Sequence, residues 1–311
     1  MWYNMRMSPI LKFRPRYFSA PWGGRRIASA YRREGVPAVC SESWEISGHR
    51  SAPSVVAGGV FDGRTLDELT VELGRDLVGA KAPSADRFPL LLKLIDARES
   101  LSLQVHPNER TAPLTGGEPK TELWYVLDAE PGAVLYAGLR QPMTERALRD
   151  AVAHGPQLVE ALQKLPVSAG DALFVPGGMV HAIGGGSLIF EVQQSSDTTY
   201  RFYDWDRRDA NGKGRELHLE QAFRTIDYAL PPAAAWRGGP FRTPFFSVAV
   251  QEVPADGLTL RTDGTTFIAG FVFSGATDVA RLGESFLVPA APTSVTLTAA
   301  APGTRLLLVT L

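Results

Sequence analysis

One cysteine, Cys40, is all that 311 residues carry. An intramolecular disulfide is therefore impossible, and a cysteine-ligated metal site is excluded. Lysine is scarce too: six stand against twenty-six arginines. Each lysine position is the more informative for it, because lysine can be tuned to exchange protons whereas arginine stays charged. Nor is there an excess of one charge. Lys plus Arg total 32 and Asp plus Glu 33, so no global field favours nucleic acid or a membrane surface, and neither partner is expected. A local basic pocket for a phosphate remains compatible with that balance. No apolar run approaches a membrane span, and the opening MWYNMRMSPILKF lacks the apolar core of a signal peptide, so the expected location is cytoplasmic. What remains, 44% hydrophobic and 21% charged, is the composition of a globular chain long enough to bury a substantial core.

Most of the chain reads as short β-rich runs separated by Gly and Pro: PLLLKLID, SLSLQVH, TELWYVL, ALFVP, SLIFEVQQ, FFSVAVQEV and TTFIAGFVF. Helical patterns are few. Residues 64–80 open on Thr65-Leu66-Asp67-Glu68, a capping-box pattern. Residues 144–164 read as one or two helices broken near Gly155-Pro156, and Leu217 to Tyr228 as another. Many strands and few helices point to a sandwich or jelly roll. The stretch PPAAAWRGGP at 231–240 reads as a boundary. It predicts one domain with helical insertions over 1–235, the one in which a metal-binding catalytic site is sought below, and a C-terminal β domain over 236–311. One internal repeat is visible: Gly170-Asp-Ala-Leu-Phe-Val-Pro176 recurs as Gly283-Glu-Ser-Phe-Leu-Val-Pro289. The first copy continues to His181 and the second has Ser294 at that place, which predicts two related barrels of which the second is degenerate.

Gln104 and His106 sit two apart in an alternating run, so both face one side of a strand while Val105 faces the other. Glu122 begins the strand TELWYVL, and His181 follows the strand ALFVP and a Pro-Gly-Gly turn. Taken singly, each has a plain structural alternative, a hydrogen-bonded histidine or a strand-edge charge. Together they sit at strand ends beside turns, where barrel mouths place functional groups. Two imidazoles, a carboxylate and an amide oxygen suit Zn²⁺, and also Fe²⁺, Mn²⁺, Co²⁺ or Ni²⁺. His49, His154 and His218 lack such a setting and read as surface or packing residues.

The spacing G-x₅-P-x-G-x₂-H from Gly170 to His181 is similar to the second cupin motif. More specifically, SAPWGGRRI (19–27), SESWEISGH (41–49), PLLLKLIDARESLSLQVHPNE (89–109), EPKTELWYVL (118–127), GDALFVPGGMVHAIGGG (170–186) and EVQQSSDTTYRFYDWDR (191–207) resemble type I mannose-6-phosphate isomerases of the short bacterial form. The resemblance runs from about Ser8 to Tyr228, with a weaker tail to Leu311, and leaves residues 1–6 as an extension or a mis-assigned start. It implies a double cupin, mainly β with a few short helices. It also implies one Zn²⁺ per chain on Gln104, His106, Glu122 and His181, an active-site arginine at Arg201, and a small sugar-phosphate substrate.

Interconverting an aldose and a ketose phosphate needs a Lewis acid for the charge of an enediolate and a group that shuttles the proton. Arg201 is not a practical base, because its guanidinium stays protonated, so charge stabilisation or phosphate binding is its expected work. Spacing alone leaves an ion pair with Asp204 or Asp206 equally open, and only the resemblance favours the active-site role. Lys120, two residues before Glu122 and on the same face, is the proton-shuttle candidate, since desolvation beside a metal would lower its pKa. Lys93 interrupts LLLKLI, where a lysine needs a polar cavity, a paired charge or a strand edge. Lys93, Trp22, Glu45 and Asn108 are the substrate-pocket candidates. Three other functions fit the ligand set: a cupin phosphoglucose isomerase, an Fe(II) cupin dioxygenase, or a non-catalytic sugar-binding cupin.

Overall fold

The alternating apolar runs fold as strands, and the computed structural model describes them over residues 9–208 and 211–311. The extension expected at residues 1–6 lies outside the described residues. Every strand pair with a described register is antiparallel, among them the pairs that build the site. No sheet closes on itself among the described residues, so the mainly β architecture appears as open sheets with seven short α-helices.

Two compact units divide the described residues: 20–24 with 95–237, and the remainder, 9–19, 25–94 and 238–311. One crossing between the units lies at Arg237/Gly238, two residues past the expected boundary. The N-terminal residues, however, cluster with the C-terminal segment. The reason is strand pairing: Leu11–Arg14 lies antiparallel to Ser285–Val288, with Leu11 opposite Leu287.

In the 95–237 unit, one sheet carries the strands Ala235–Trp236, Ala172–Val175, Glu122–Ala129 and Ser187–Gln194 in that order. The second runs Tyr200–Tyr203, Leu103–Val105, His181–Ile183, Val134–Leu139, Leu162–Pro166. The chain passes repeatedly from one sheet to the other, so residues distant in sequence reach one interior. Trp22, Ile95, Trp124, Leu135, Leu173 and Ile189 share one buried cluster, and Leu103, Leu148, Phe202 and Phe223 belong to another. The other unit builds its core around Phe286, Val272, Leu297 and Leu306.

The helices differ from expectation at their ends. The capping box at Thr65 is present, with Glu68 Oε2 accepting the Thr65 N–H at 3.1 Å, but the helix ends at Leu73. Gly74, at φ +53°, turns the chain before a second short helix, Arg75–Val78. The 144–164 stretch gives helices Glu145–Val152 and Pro156–Ala161. From Leu162 it is a strand paired with Val134–Leu139, so pairing overrides helical periodicity there.

Both copies of the repeat form the same local unit: a glycine at positive φ (Gly170, +92°; Gly283, +79°) feeds a strand. Their continuations diverge. His181 opens a fully buried strand, whereas Ser294 is exposed on a ribbon opposite Arg261.

Candidate metal centre

Strand register alone brings the expected ligands together. His181 lies directly opposite Gln104, and Gln104 opposite Arg201, across three adjacent strands. Directly paired residues put their side chains on the same face, so Arg201, Gln104 and His181 form one row, and His106 follows Gln104 by the period of two. Glu122 arrives from the other sheet, where its partner on the neighbouring strand is Gln193. The Pro176-Gly177-Gly178 turn closes against the loop after His106: Gly178 N–H donates to the His106 carbonyl at 2.7 Å. A Cβ on Gly177 would stand 2.7 Å from the Pro107 carbonyl oxygen, which is why glycine is required there.

The three charged or titratable ligands converge inside the protein. His106 Nε2 is 3.2 Å from Glu122 Oε1, and His181 Nε2 is 3.9 Å from Glu122 Oε2. The ligand atoms of all three lie within 4.8 Å of one another, and all three residues are buried. His181 Nδ1 meets the Met179 carbonyl at 2.8 Å. A carbonyl can only accept, so the proton sits on Nδ1 and the Nε2 lone pair is directed at the cluster. Burial, reinforced by the positive charge of Lys120, pushes His106 down to about 3, and burial first of all lowers His181 as well. Both imidazoles are therefore neutral at neutral pH, the form that ligates a metal. Burial would raise Glu122, but the positive charge of Lys120 above all, with the His106 imidazole beside it, holds it well below the usual carboxylate range.

The fit to a cation rests on what these atoms lack. His106 Nε2, Glu122 Oε1 and His181 Nε2 are buried without a hydrogen bond, an arrangement that is costly in a protein interior unless an ion satisfies it. Among the described residues this is the one cluster of His, Cys, Asp and Glu side chains that could hold a metal.

Lys120 stands beside the cluster, its Nζ 3.2 Å from Glu122 Oε1, and is buried. Arg201 is half-buried. It donates to Ser102 Oγ through Nε at 3.2 Å and to the Glu216 carbonyl through Nη1 at 3.0 Å. The alternative ion pair with Asp204 is taken by Arg215 and Arg207, and Asp206 meets the Tyr203 hydroxyl.

The substrate-pocket candidates do not join this cluster as a group. Trp22 is packed into the core with Trp124. Asn108 organises its own loop: Oδ1 accepts from the Arg110 and Thr111 N–H groups at 3.1 and 3.0 Å, and Nδ2 donates to the Gly177 carbonyl at 3.4 Å. Lys93 and Glu45 belong to the other unit. Lys93 is no edge residue, for its whole strand is buried; it lies 3.3 Å from Glu42 Oε2 and over the Trp44 ring. Glu45, one residue past Trp44, faces the opposite side and is gripped by both terminal nitrogens of Arg33 at 2.7 and 2.8 Å. Removing one partner leaves a buried charge alone, so Glu45→Gln should lower unfolding free energy by about 3–5 kcal/mol, measured by urea denaturation; a change under about 1 kcal/mol would show that the pair is dispensable.

Sequence reasoning missed Trp124, whose indole N–H reaches Glu122 Oε2 at 3.2 Å and Glu191 Oε2 at 2.9 Å. Strand parity from Glu122 could have found it; Glu191 needed the register that sets it opposite Trp124. His218 is more than a packing residue, since its Nδ1 accepts the Arg201 N–H at 3.3 Å and its own N–H bonds the Arg201 carbonyl at 2.7 Å. His49 and His154 make local bonds, to Ser51 and to the Asp150 carbonyl.

A family model described as the catalytic domain of type I phosphomannose isomerase matches residues 10–133, which include Gln104, His106 and Glu122. Mannose-6-phosphate isomerase of Streptococcus mutans is 44% identical over 218 residues, covering 69% of this chain and 67% of that protein. Mannose-6-phosphate isomerase ManA of Bacillus subtilis is 42% identical over 227 residues, 72% and 69% of the two chains. The chain belongs to the type I phosphomannose isomerases. The crystal structure of the Bacillus subtilis mannose 6-phosphate isomerase matches at a TM-score of 0.85 and 29% identity, over 97% of this chain and 99% of that one. A zinc-bound mannose 6-phosphate isomerase shares the fold at a TM-score of 0.74 and 15% identity, over 97% and 99%. No helix among the described residues is long and apolar enough to cross a membrane.

Proposed function

We propose that this chain is a mannose-6-phosphate isomerase that interconverts mannose 6-phosphate and fructose 6-phosphate through an enediolate. The observation that supports it most directly is the buried His106, Glu122 and His181 cluster with Lys120 at its side, in a member of this family. Gln104, His106, Glu122 and His181 would hold one Zn²⁺ per chain, a choice that rests on two neutral imidazoles and a carboxylate in one compact set, with Gln104 paired opposite His181. When bound, the metal supplies Lewis-acid stabilisation of the negative charge on the C1 and C2 oxygens.

The remaining work falls to the chain's own groups. From the aldose, a base takes the C2 proton and returns it to C1, while a second proton passes between O2 and O1. Lys120 is the amine placed to hold and move such a proton. Arg201 carries a permanent charge for the enediolate, on the same row as Gln104 and His181. Buried walls, Trp124 above all, exclude water from the reacting atoms. A sugar phosphate is a multiply charged substrate that does not cross membranes unaided, which supports a cytoplasmic location.

Purified protein should turn over mannose 6-phosphate and not glucose 6-phosphate, read by coupled detection of fructose 6-phosphate for each. Preference for glucose 6-phosphate would replace the substrate assignment. Arg201→Lys keeps a charge and loses the planar fork. The expected result is a kcat loss larger than the rise in KM, because a group serving the enediolate acts in the transition state; a KM rise alone would make Arg201 a phosphate holder.

A further inference from the structure

Two consecutive residues after the Arg201 strand, Trp205 (φ +56°) and Asp206 (φ +52°), occupy the left-handed region without being glycine. A bulky residue there is strained and persists only where its surroundings over-determine it. The surroundings here are specific. Three successive residues leading into the Gln104 strand accept from this segment. The Ser100 carbonyl takes Arg207 Nη2, the Leu101 carbonyl takes Trp205 Nε1 at 2.7 Å, and Ser102 Oγ takes Arg201 Nε at 3.2 Å. Buried Asp204 is the hub. It binds Arg207 at 3.1 Å and Arg215 through both oxygens at 2.7 and 2.6 Å. Arg215 in turn fixes the segment whose next residue, Glu216, offers its carbonyl to Arg201 Nη1 at 3.0 Å.

We infer that Asp204, Trp205, Arg207 and Arg215 are positioning residues that set the Arg201 guanidinium from two sides. One arm runs from Asp204 through Arg207 and Trp205 to the Ser100–Ser102 segment and so to Arg201 Nε. The other runs from Asp204 through Arg215 to the Glu216 carbonyl and Arg201 Nη1. Among the described residues no hydrogen bond or ion pair of either arm reaches His106, Glu122 or His181, so the arginine is the group on which both arms converge. The double left-handed turn is the strained joint that lets residues 204 to 207 reach back along the strand lead-in. This inference rests on the role proposed for Arg201.

The test is a double-mutant cycle. Arg215→Gln is shorter and uncharged but still polar, at a partly exposed position, and it removes the two-nitrogen grip on Asp204. In the wild-type background it should lower kcat by roughly 10- to 100-fold, the cost of a small misplacement of a catalytic group, with KM changed by less than about threefold. Metal content and the cooperative unfolding transition should stay as in wild type. In an Arg201→Lys background the same substitution should cost less than about threefold, because the group it positions is gone. A purely structural role predicts a lower Tm with kcat per folded chain unchanged, or equal losses in both backgrounds, and either would overturn the inference. If Arg215→Gln does not fold, Trp205→Phe gives the same reading, since it keeps an aromatic side chain, smaller than the indole, and removes the N–H to the Leu101 carbonyl. Near-normal kcat in Arg201→Lys itself overturns both the clamp and the Arg201 role. A kcat loss there with none in Arg215→Gln or Trp205→Phe overturns the clamp alone.

Discussion

His181→Ala should purify with little metal and turn over mannose 6-phosphate on the order of 10³-fold or more slowly, the several kcal/mol that Lewis-acid stabilisation supplies expressed as a rate. His181 is fully buried and its Nδ1 proton is fixed on the Met179 carbonyl, so only Nε2 is available and its one use is toward Glu122 and His106. Alanine removes the ligand and the orienting bond together. Ser294→Ala, the matching position in the second copy of the repeat, should change neither metal content nor rate, because that residue is exposed on a two-stranded ribbon. Metal analysis beside the kinetics checks both. A metal dependence of Ser294 would overturn the degenerate-copy reading, and wild-type metal content in His181→Ala would overturn the ligand set.

Lys120→Arg should cost roughly 10²–10⁴ in kcat with metal retained, the range general acid–base catalysis provides. Arginine preserves the positive charge beside Glu122, where the Lys120 ammonium lies 3.2 Å away, but it does not give up a proton at any working pH. Charge and proton transfer are thereby separated in one substitution. If Lys120 serves only to hold Glu122 ionised, the arginine variant would sustain turnover. Retained activity would therefore move the proton shuttle to another group, even with the metal cluster intact. Any loss of metal would instead point to a distorted Glu122.

The candidate ligands could be proposed because their spacing follows from parity. A period of two from Gln104 to His106, and from Lys120 to Glu122, needs no knowledge of the fold. Which strands adjoin is a different matter. That Arg201 lies opposite Gln104, and Glu191 opposite Trp124, depends on register set by the two sheets, and no local pattern encodes it. Parity also explains the division between Glu42 and Glu45. The strand Glu42–Ser47 sends Glu42 and Trp44 to the Lys93 side and Glu45 to Arg33, and only the partners reveal which face is which. The helical pattern over residues 64–80 is divided at Gly74, where a glycine inside a periodic pattern marks the break. The strand from Leu162 was hidden because its apolar spacing also suits a helix, and pairing with Val134–Leu139 decided it. The grouping of the N-terminal residues with the C-terminal segment was illegible for the same reason, since Leu11 meets Leu287 only through sheet pairing.

The most direct measurement is a coupled assay of mannose 6-phosphate turnover on protein stripped with a chelator and then titrated with Zn²⁺ or Co²⁺. The predicted result is loss of isomerisation on stripping and its return, saturating at one equivalent of metal per chain. Full activity in verified metal-free protein would contradict the account.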